Sequence, residues 1–233
     1  MIKLVGAIAF LVINLYAQEV YATFTVEAKH SANLAFNASG VVKVMDTEIA
    51  QNVKKGEVLA SLDNRDKKAT LAIAKTALKF AKKDYERQEK VKNLINADVF
   101  DTYAFKYENA KNQVALQEAL LDKTVLRAPF DGIILYKNID VGDTVSGLML
   151  KTVYKIQSKS ARKLIVAFDQ KYYKSVKVGD TFTYKIDGDT KVYKGIISKI
   201  YPIADAQNRK IQAEVKATNF MVGLFGDGEI TTK

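Results

Sequence analysis

Cysteine is absent from the 233 residues, and histidine occurs only once, at His30. Without cysteine the chain has no disulfide framework, no thiolate metal site, no thiol nucleophile and no lipid attachment through an N-terminal cysteine. His30 has no carboxylate at ligand spacing, and the four methionines are scattered, so neither residue type predicts a metal site. The sequence also lacks a glycine-rich phosphate loop and a Ser-His-Asp set. We therefore expect no enzymatic activity and no cofactor.

The chain also lacks a second long apolar run after its first residues. Residues 4–15 are mainly apolar, but a membrane-spanning helix needs roughly twenty such residues. The run follows the positively charged Lys3 and ends near Ala17, which is typical of a secretory signal peptide. We expect cleavage after Ala17 or after Ala22, with an uncleaved anchor as the alternative, and a mature chain that works in the periplasm.

Positive charge is in excess, but it is not clustered in one part of the sequence. Lysine and arginine number 36 against 26 acidic residues, a formal net charge of +10. A basic chain can bind nucleic acid or an anionic membrane. Here the lysines are spread over the whole sequence without an interleaved aromatic platform. We expect solvated surfaces and no nucleic-acid binding, and contact with acidic lipid headgroups stays an open alternative.

Two long helices are predicted between residues 65 and 124. The first has seam positions at coiled-coil spacing in Leu71, Ala74, Leu78, Ala81 and Tyr85. The second has them in Phe100, Tyr103, Tyr107, Ala110, Val114, Gln117, Leu121 and Thr124. Most other positions are polar or charged, although Ile73, Phe80 and Leu94 lie beside the seam. So narrow a stripe predicts a two-helix arm.

The seven-residue pattern breaks between Asn93 and Ala97, where we expect a turn. Asp98 is predicted to cap the second helix, with Asp101 in a capping-box-like position three residues later. A turn here makes the helices antiparallel. One uninterrupted helix, or a pair buried in a bundle, is the alternative.

Strand-like segments with similar sequences flank the predicted helices. Gly40 and Gly132 each precede two β-branched residues, and each half then has a polar turn that ends in glycine and an acid, at Gly56 and Gly142. Each half has too few strands to close a core, so we expect the halves to pack face to face with the helices inserted between them. Glycine at these positions is expected to supply positive φ at turns.

A family resemblance follows from these segments. Residues 126–132, LRAPFDG, are similar to the second lipoyl half-motif of periplasmic adaptor subunits, also called membrane fusion proteins, of resistance-nodulation-division type tripartite efflux pumps. Residues 176–180, VKVGD, and 208–212, NRKIQ, resemble parts of the family's barrel. The resemblance implies an elongated, multidomain, mixed α and β fold. A lipoyl-like β-sandwich would be split by an antiparallel α-helical coiled-coil hairpin and followed by a small β-barrel.

The resemblance also implies domain boundaries. They are a signal peptide at 1–17, an N-terminal strand joining the barrel at 18–33, lipoyl half-motif 1 at 34–64, the α-helical hairpin at 65–124, lipoyl half-motif 2 at 125–151 and the β-barrel at 152–233.

Hairpin tips of this family dock on an outer-membrane channel through an arginine, a leucine four residues later and a serine eleven residues later. That spacing selects Arg87, Val91 and Asp98 in this chain, and only the arginine is identical. With Leu94 between them, these residues form the predicted docking site. An apolar knob beside a guanidinium group suits end-on packing against another protein.

The implied function is that of a periplasmic adaptor, attached to the inner membrane through its transporter partner. It would link an inner-membrane efflux transporter to an outer-membrane channel, as a homo-oligomeric ring, for the export of small molecules such as drugs. The alternative is the adaptor of an ATP-driven exporter or of a type I protein-secretion system. A third class, a lipoyl- or biotin-carrying enzyme component, would need modification of Lys67 or Lys68.

Overall fold

The computed structural model describes residues 18–149 and 151–232. The predicted signal peptide at 1–17 therefore lies outside the described residues. In chain order the strands are β1 Glu19–Ala28, β2 Ser31–Leu34, β3 Gly40–Met45, β4 Asn52–Val53, β5 Val58–Leu62, β6 Val125–Arg127, β7 Gly132–Lys137, β8 Thr144–Val145, β9 Tyr154–Ser158, β10 Ala161–Asp169, β11 Thr181–Ile186, β12 Tyr193–Asp205, β13 Lys210–Thr218 and β14 Phe225–Thr231. Helices α1 Arg65–Glu89 and α2 Ala97–Asp122 lie between β5 and β6, and single 3₁₀ turns span Lys92–Leu94 and Gln170–Tyr172.

The contacts divide the chain into two units, between residues 29 and 30 and again between residues 159 and 160. The predicted boundaries lie between residues 33 and 34 and between residues 151 and 152. The difference has a physical cause, because β2 pairs with β9 from Ser31↔Gln157 to Leu34↔Tyr154. Both strands therefore belong to the unit that contains the helices.

The first unit is a closed antiparallel barrel in the order β1-β10-β13-β12-β11-β14. Alternation of side chains builds its core, since Leu164, Val166 and Phe168 on β10 are fully buried while their neighbours are more exposed. β1 lies between β10 and β14, which completes the ring and removes unpaired edges. Val20 on β1 is also fully buried, so cleavage after Ala22 would remove a core residue.

The second unit contains two four-stranded sheets, β2-β9-β7-β4 and β6-β5-β3-β8. Their facing sides share one apolar core, with Leu59 and Ile134 among its fully buried residues. Each sheet combines strands that precede the helices with strands that follow them. Neither half could form this core alone, and the chain must return to the sandwich after α2.

The two halves of the sandwich are related by an internal repeat that is visible in the pairing. Gly40 on β3 pairs with Val145 on β8, and Gly132 on β7 pairs with Val53 on β4. Gly40 and Gly132 are separated by the same number of residues as Val53 and Val145. In each half, the short strand β4 or β8 therefore pairs with the glycine-containing strand of the other half. The two halves thus exchange strands, and each sheet contains strands from both halves.

The same separation makes Ala50 the repeat counterpart of Gly142. The sequence pattern had instead matched Gly56 with Gly142. The amide of Ala50 donates to the carbonyl of Ile134, and the amide of Gly142 donates to the carbonyl of Val42, at 2.8 and 2.9 Å. Both residues have positive φ, 68° for Ala50 and 97° for Gly142. The repeat was misaligned in the sequence because alanine stands where the backbone favours glycine.

Helices α1 and α2 pair along the predicted seam. Leu71, Ala74 and Val114 are buried together, with Leu78 and Leu121 packed against them. An ion pair between Lys75 and Glu118 at 2.8 Å and stacked rings of Tyr85 and Tyr107, 5.3 Å between centroids, show that the helices run antiparallel. At 1.5 Å per residue, each helix is about 38 Å long. In the part of the chain that the structure describes, no helix is both long and apolar enough to cross a membrane.

Candidate docking site at the helical tip

The tip is the connection between the two helices, residues 90–96. α1 ends at Glu89, and a 3₁₀ turn at Lys92–Leu94 follows, closed by the amide of Leu94, which donates to the carbonyl of Val91 at 2.8 Å. Ile95 and Asn96 are extended before α2 begins at Ala97. This turn lies where the heptad pattern breaks, so the tip position agrees with the sequence.

Leu94 is the most exposed apolar side chain of the tip, with 85% of its surface accessible, whereas Val91 has 38%. Burying a leucine side chain contributes about 1.5–3 kcal/mol. An apolar knob held at the end of two paired helices is therefore suited to a protein partner.

Arg87 lies on the last turn of α1, and its Nη2 donates to the Asp84 carboxylate one turn earlier. Its side chain remains largely exposed. Such an exposed ion pair is easily exchanged for another carboxylate, because surface pairs contribute little stability. The structure places Arg87 below Val91 on the side of the arm, and Leu94 in the connecting turn.

Asp98 does not cap α2, which corrects the prediction. The cap is Asn96, whose Oδ1 accepts a hydrogen bond from the amide of Asp98 at 3.2 Å. Asp98 lies in the first turn, where a carboxylate is favoured by the helix dipole. Asparagine and aspartate are about equally good caps, so the sequence alone did not separate them.

An aromatic cluster supports the tip from below. The ring of Tyr85 lies 5.5 Å from that of Phe100, and the Nζ of Lys92 lies 4.7 Å from the Phe100 ring centroid. The Tyr85 hydroxyl donates to Glu89 at 3.0 Å, and this hydrogen bond raises the pKa of the tyrosine. The seam pattern predicted the tyrosine and the phenylalanine. The contact of Lys92 was missed, because a lysine in a turn carries no periodic signal.

The helix ends are joined at the opposite end of the arm. The Nδ2 of Asn64 donates to the Oγ1 of Thr124 at 3.1 Å, and the amide of Leu62 donates to the carbonyl of Thr124 at 2.9 Å. Thr124 is buried, and its hydroxyl donates to the carbonyl of Leu121 at 2.6 Å. These bonds fix the beginning of α1 to the end of α2.

The four predicted glycines lie in the sandwich, in two different roles. Gly56 and Gly142 have positive φ, as expected for turns, and an added Cβ would meet nothing within 4 Å at either. Gly40 and Gly132 have no positive φ and lie in strands. A Cβ on Gly132 would come within 2.4 Å of the Gln157 carbonyl oxygen, so close approach of β9 explains that glycine.

Residues 18–149 and 151–232 contain no group of three or more His, Cys, Asp or Glu residues that could hold a metal ion. The ring of His30 lies 5.7 Å from the ring of Phe130. Lys67, considered for modification, lies in the first turn of α1 and pairs with Asp66 at 3.0 Å. It therefore lies on a helix, whereas a swinging-arm lysine needs a tight turn between strands.

Comparison with protein families gives a match that covers the sandwich and the helices. Residues 30–157 match the family described as "CzcB-like, barrel-sandwich hybrid domain". The mixed α and β class and the presence of a sandwich are thereby confirmed.

Two relatives and one solved structure give further comparisons. The chain is 27% identical over 218 residues to the cobalt-zinc-cadmium resistance protein CzcB of Cupriavidus metallidurans, covering 84% of this chain and 41% of the relative. It is 26% identical over 138 residues to the multidrug resistance protein MdtA of Photorhabdus laumondii, covering 52% of this chain and 34% of the relative.

The crystal structure of a MacA-MexA chimeric protein with the Pseudomonas aeruginosa MexA α-hairpin has a similar fold. It superposes with a TM-score of 0.80 at 20% identity, covering 94% of this chain and 82% of that one. At this identity the likeness shows the fold alone. The chain spans 41% of the length of the CzcB relative, so it corresponds to only part of that protein.

Proposed function

The chain belongs to the CzcB-like barrel-sandwich hybrid family, and from this membership we propose that it is the periplasmic adaptor of a tripartite efflux pump. It links an inner-membrane transporter to an outer-membrane channel and is held at the inner membrane through the transporter. The observation that carries the proposal is the pair of long helices inserted into the sandwich, with Leu94 exposed at their tip.

The mechanism follows from the geometry of the arm. Its two helices form a coiled-coil hairpin about 38 Å long, fixed at the base by Asn64 and Thr124 and closed near the tip by the aromatic cluster. A stiff arm can hold its tip at a set distance from the sandwich. Leu94 and Val91 then supply the apolar contact with the channel, and Arg87 supplies a guanidinium group that can exchange Asp84 for a partner's carboxylate.

The chain acts in this proposal by holding its partners together, and no catalytic step is assigned to it. Several copies form a ring around the conduit. The family match and the CzcB and MdtA relatives favour a pump of the resistance-nodulation-division type over an ATP-driven exporter.

We propose divalent transition-metal cations as the first substrate class to test. The relative named for cobalt, zinc and cadmium resistance aligns over 84% of this chain, against 52% for the relative named for multidrug resistance. The cation is the cargo of the transporter, so the adaptor itself needs no metal ligands. Small organic drugs are the second class.

The first test removes the arm. A variant in which residues 71–121 are replaced by a short Gly-Ser linker is expressed in a strain without the chromosomal copy. We expect loss of resistance to the exported compounds, measured by growth on zinc, cobalt, cadmium and a drug panel. Normal resistance with the shortened protein at wild-type abundance would contradict the proposal.

The second test changes one side chain at the tip. Leu94→Asp puts a charge on the proposed contact without disturbing the seam, and we expect reduced resistance. Leu148→Asp is the control, because Leu148 is also highly exposed, at 95%, but lies in the loop that follows β8, away from the tip. Equal resistance of the two variants would show that the apolar tip contact is not needed.

A further inference from the structure

A cavity of about 720 Å³ opens at one end of the barrel, where β10 ends and β13 begins. Its floor contains Phe168, Ile200 and Ile211, which also belong to or pack against the barrel core. The cavity is therefore the mouth of the barrel interior. Mouths of β-barrels are common ligand sites, and ligand pockets have volumes of about 300–1,000 Å³.

A bulge in β12 forms one wall of this cavity. Between the pairs Ile200↔Ala213 and Ala204↔Ile211, three residues of β12 lie opposite a single residue of β13. Such a bulge bends its strand and redirects its side chains. Ile203, one of the three bulged residues, lines the cavity and is 76% exposed. An apolar side chain is thus held open to solvent at the mouth.

Two exposed cations lie at the rim of the cavity, Lys171 in the 3₁₀ turn and Arg209 just before β13. In the part of the chain that the structure describes, neither side chain forms an ion pair. The Nζ of Lys171 lies 4.8 Å from the centroid of the Tyr172 ring. Asp169 also lines the cavity, but its carboxylate accepts a hydrogen bond from the amide of Lys171 at 2.8 Å. The rim therefore has two cations against one carboxylate.

Backbone hydrogen bonds hold the rim in place over the floor. The amide of Gln170 donates to the carbonyl of Arg209 at 3.0 Å, which ties the 3₁₀ turn to the start of β13. The amide of Arg209 donates to the carbonyl of Asp205 at 2.8 Å, which closes the turn between β12 and β13. The two cations are thus carried by the same strands that form the apolar floor.

We propose that this cavity binds an amphipathic organic anion, a free molecule with an apolar body and a carboxylate, sulfonate or phosphate head. The apolar body packs on Phe168 and Ile211, and its affinity grows with the apolar area that is buried. The head meets Lys171 and Arg209, whose hydrogen bonds to an anion are stronger than those between neutral groups. A cationic amphiphile of the same shape is repelled by the rim. This inference goes beyond the adaptor function and does not depend on it.

Calorimetric titration of the mature chain, purified as cells export it, tests the proposal. The probe is dodecanoate below its micelle concentration. The matched control probe is dodecyltrimethylammonium, which has the same alkyl chain and a positive head. We expect dodecanoate to saturate a single site with an affinity at least about tenfold higher than that of the cation.

A first pair of variants tests the rim. Lys171→Gln with Arg209→Gln removes both cations and leaves the apolar floor, so we expect dodecanoate to bind at least about tenfold more weakly. The matched control is Lys191→Gln with Lys194→Gln, which makes the same change of net charge at exposed positions. Lys194 lies about 20 Å along β12 from Ile200, so the control is expected to bind dodecanoate as the wild type does.

A second pair tests the cavity and leaves the charges intact. Ala204 lines the cavity and is exposed, so Ala204→Phe fills the mouth without entering the barrel core. We expect this variant to lose dodecanoate binding. Ala206→Phe, at an exposed position that does not line the cavity, is the matched control and is expected to retain it. Circular dichroism and urea unfolding of every variant show that the barrel is folded.

The outcomes are clear-cut. Equal affinity for the two probes would overturn the proposal, and so would wild-type binding of dodecanoate by the folded rim variant or by the folded Ala204→Phe variant. A further arm measures sedimentation with vesicles of phosphatidylcholine and phosphatidylglycerol in equal parts. Vesicle binding that Ala204→Phe abolishes, without binding of free dodecanoate, would make a membrane lipid the ligand and overturn the free amphiphile. No readout depends on export, so each of these failures leaves the adaptor proposal standing.

Discussion

Ala50 occupies a backbone position that its repeat counterpart fills with glycine, and this predicts substitutions of opposite effect. Ala50 has φ of 68°, in the left-handed region, which costs a residue with a Cβ about 1–2 kcal/mol. Glycine removes that strain but costs roughly 0.5–1 kcal/mol in unfolded-state freedom. We therefore predict that Ala50→Gly stabilises the sandwich by up to about 1.5 kcal/mol, with a central value of about 0.75 kcal/mol.

Gly142→Ala is the reciprocal substitution and is predicted to lose a similar amount. A Cβ at Gly142 would meet no atom within 4 Å, so steric clash adds nothing and backbone strain alone decides the effect. Ala115→Gly, at an exposed site of α2, is the matched control. There the backbone is right-handed and the same substitution is expected to cost about 1 kcal/mol.

The assay is urea unfolding of the full chain. Unfolding is monitored by hydrogen exchange of peptides from β3, β4 and β7, so that the stability of the sandwich is measured separately from that of the rest of the chain. With a slope of about 1–3 kcal/mol per molar urea, Ala50→Gly raises the midpoint of the sandwich transition by a few tenths molar. If Ala50→Gly destabilises the sandwich as Ala115→Gly destabilises the helix, then Ala50 is not under strain and this reasoning is refuted.

Two further predictions concern the tip and the N-terminus. Asn96→Ala should lower the stability of the first turn of α2 by about 1 kcal/mol, whereas Asp98→Ala should cost only a few tenths, measured by hydrogen exchange of that turn; the reverse order would restore Asp98 as the cap. Sequencing of the mature N-terminus is expected to show cleavage after Ala17, because cleavage after Ala22 removes the buried Val20 from the barrel; a mature chain that starts after Ala22 would refute this.

The arm was the most predictable element, since its signal is periodic and repeated. The seam residues predicted from the heptads, Leu71 and Val114 among them, are the ones the helices bury. The turn between the helices was located because the same pattern stops there. The residue that caps α2 could not be identified from the sequence, because Asn96 and Asp98 are both suitable caps and differ only in backbone position.

The sandwich was harder to derive because its pairings are not local. β4 and β8 have two residues each, too few to show alternation, and each pairs with a strand from the other half of the repeat. Ala50 hid the correspondence between the halves, so Gly56 was matched with Gly142. The pairing of β2 with β9 likewise joins segments on both sides of the arm, which moved the boundary of the unit.

The candidate site was predictable in part. The position of the tip follows from the chain itself, but the choice of Arg87, Val91 and Asp98 came from a family spacing of which only the arginine is identical. Their docking role stays a prediction.

The adaptor proposal is tested most directly by asking what the tip touches in the cell. A photo-cross-linking amino acid is placed at position 94, with the highly exposed position 148 as the control, and captured proteins are identified by mass spectrometry. The proposal predicts that position 94 captures an integral outer-membrane channel and that position 148 does not. Capture of the channel from neither position, with the protein at wild-type abundance and resistance intact, would contradict it.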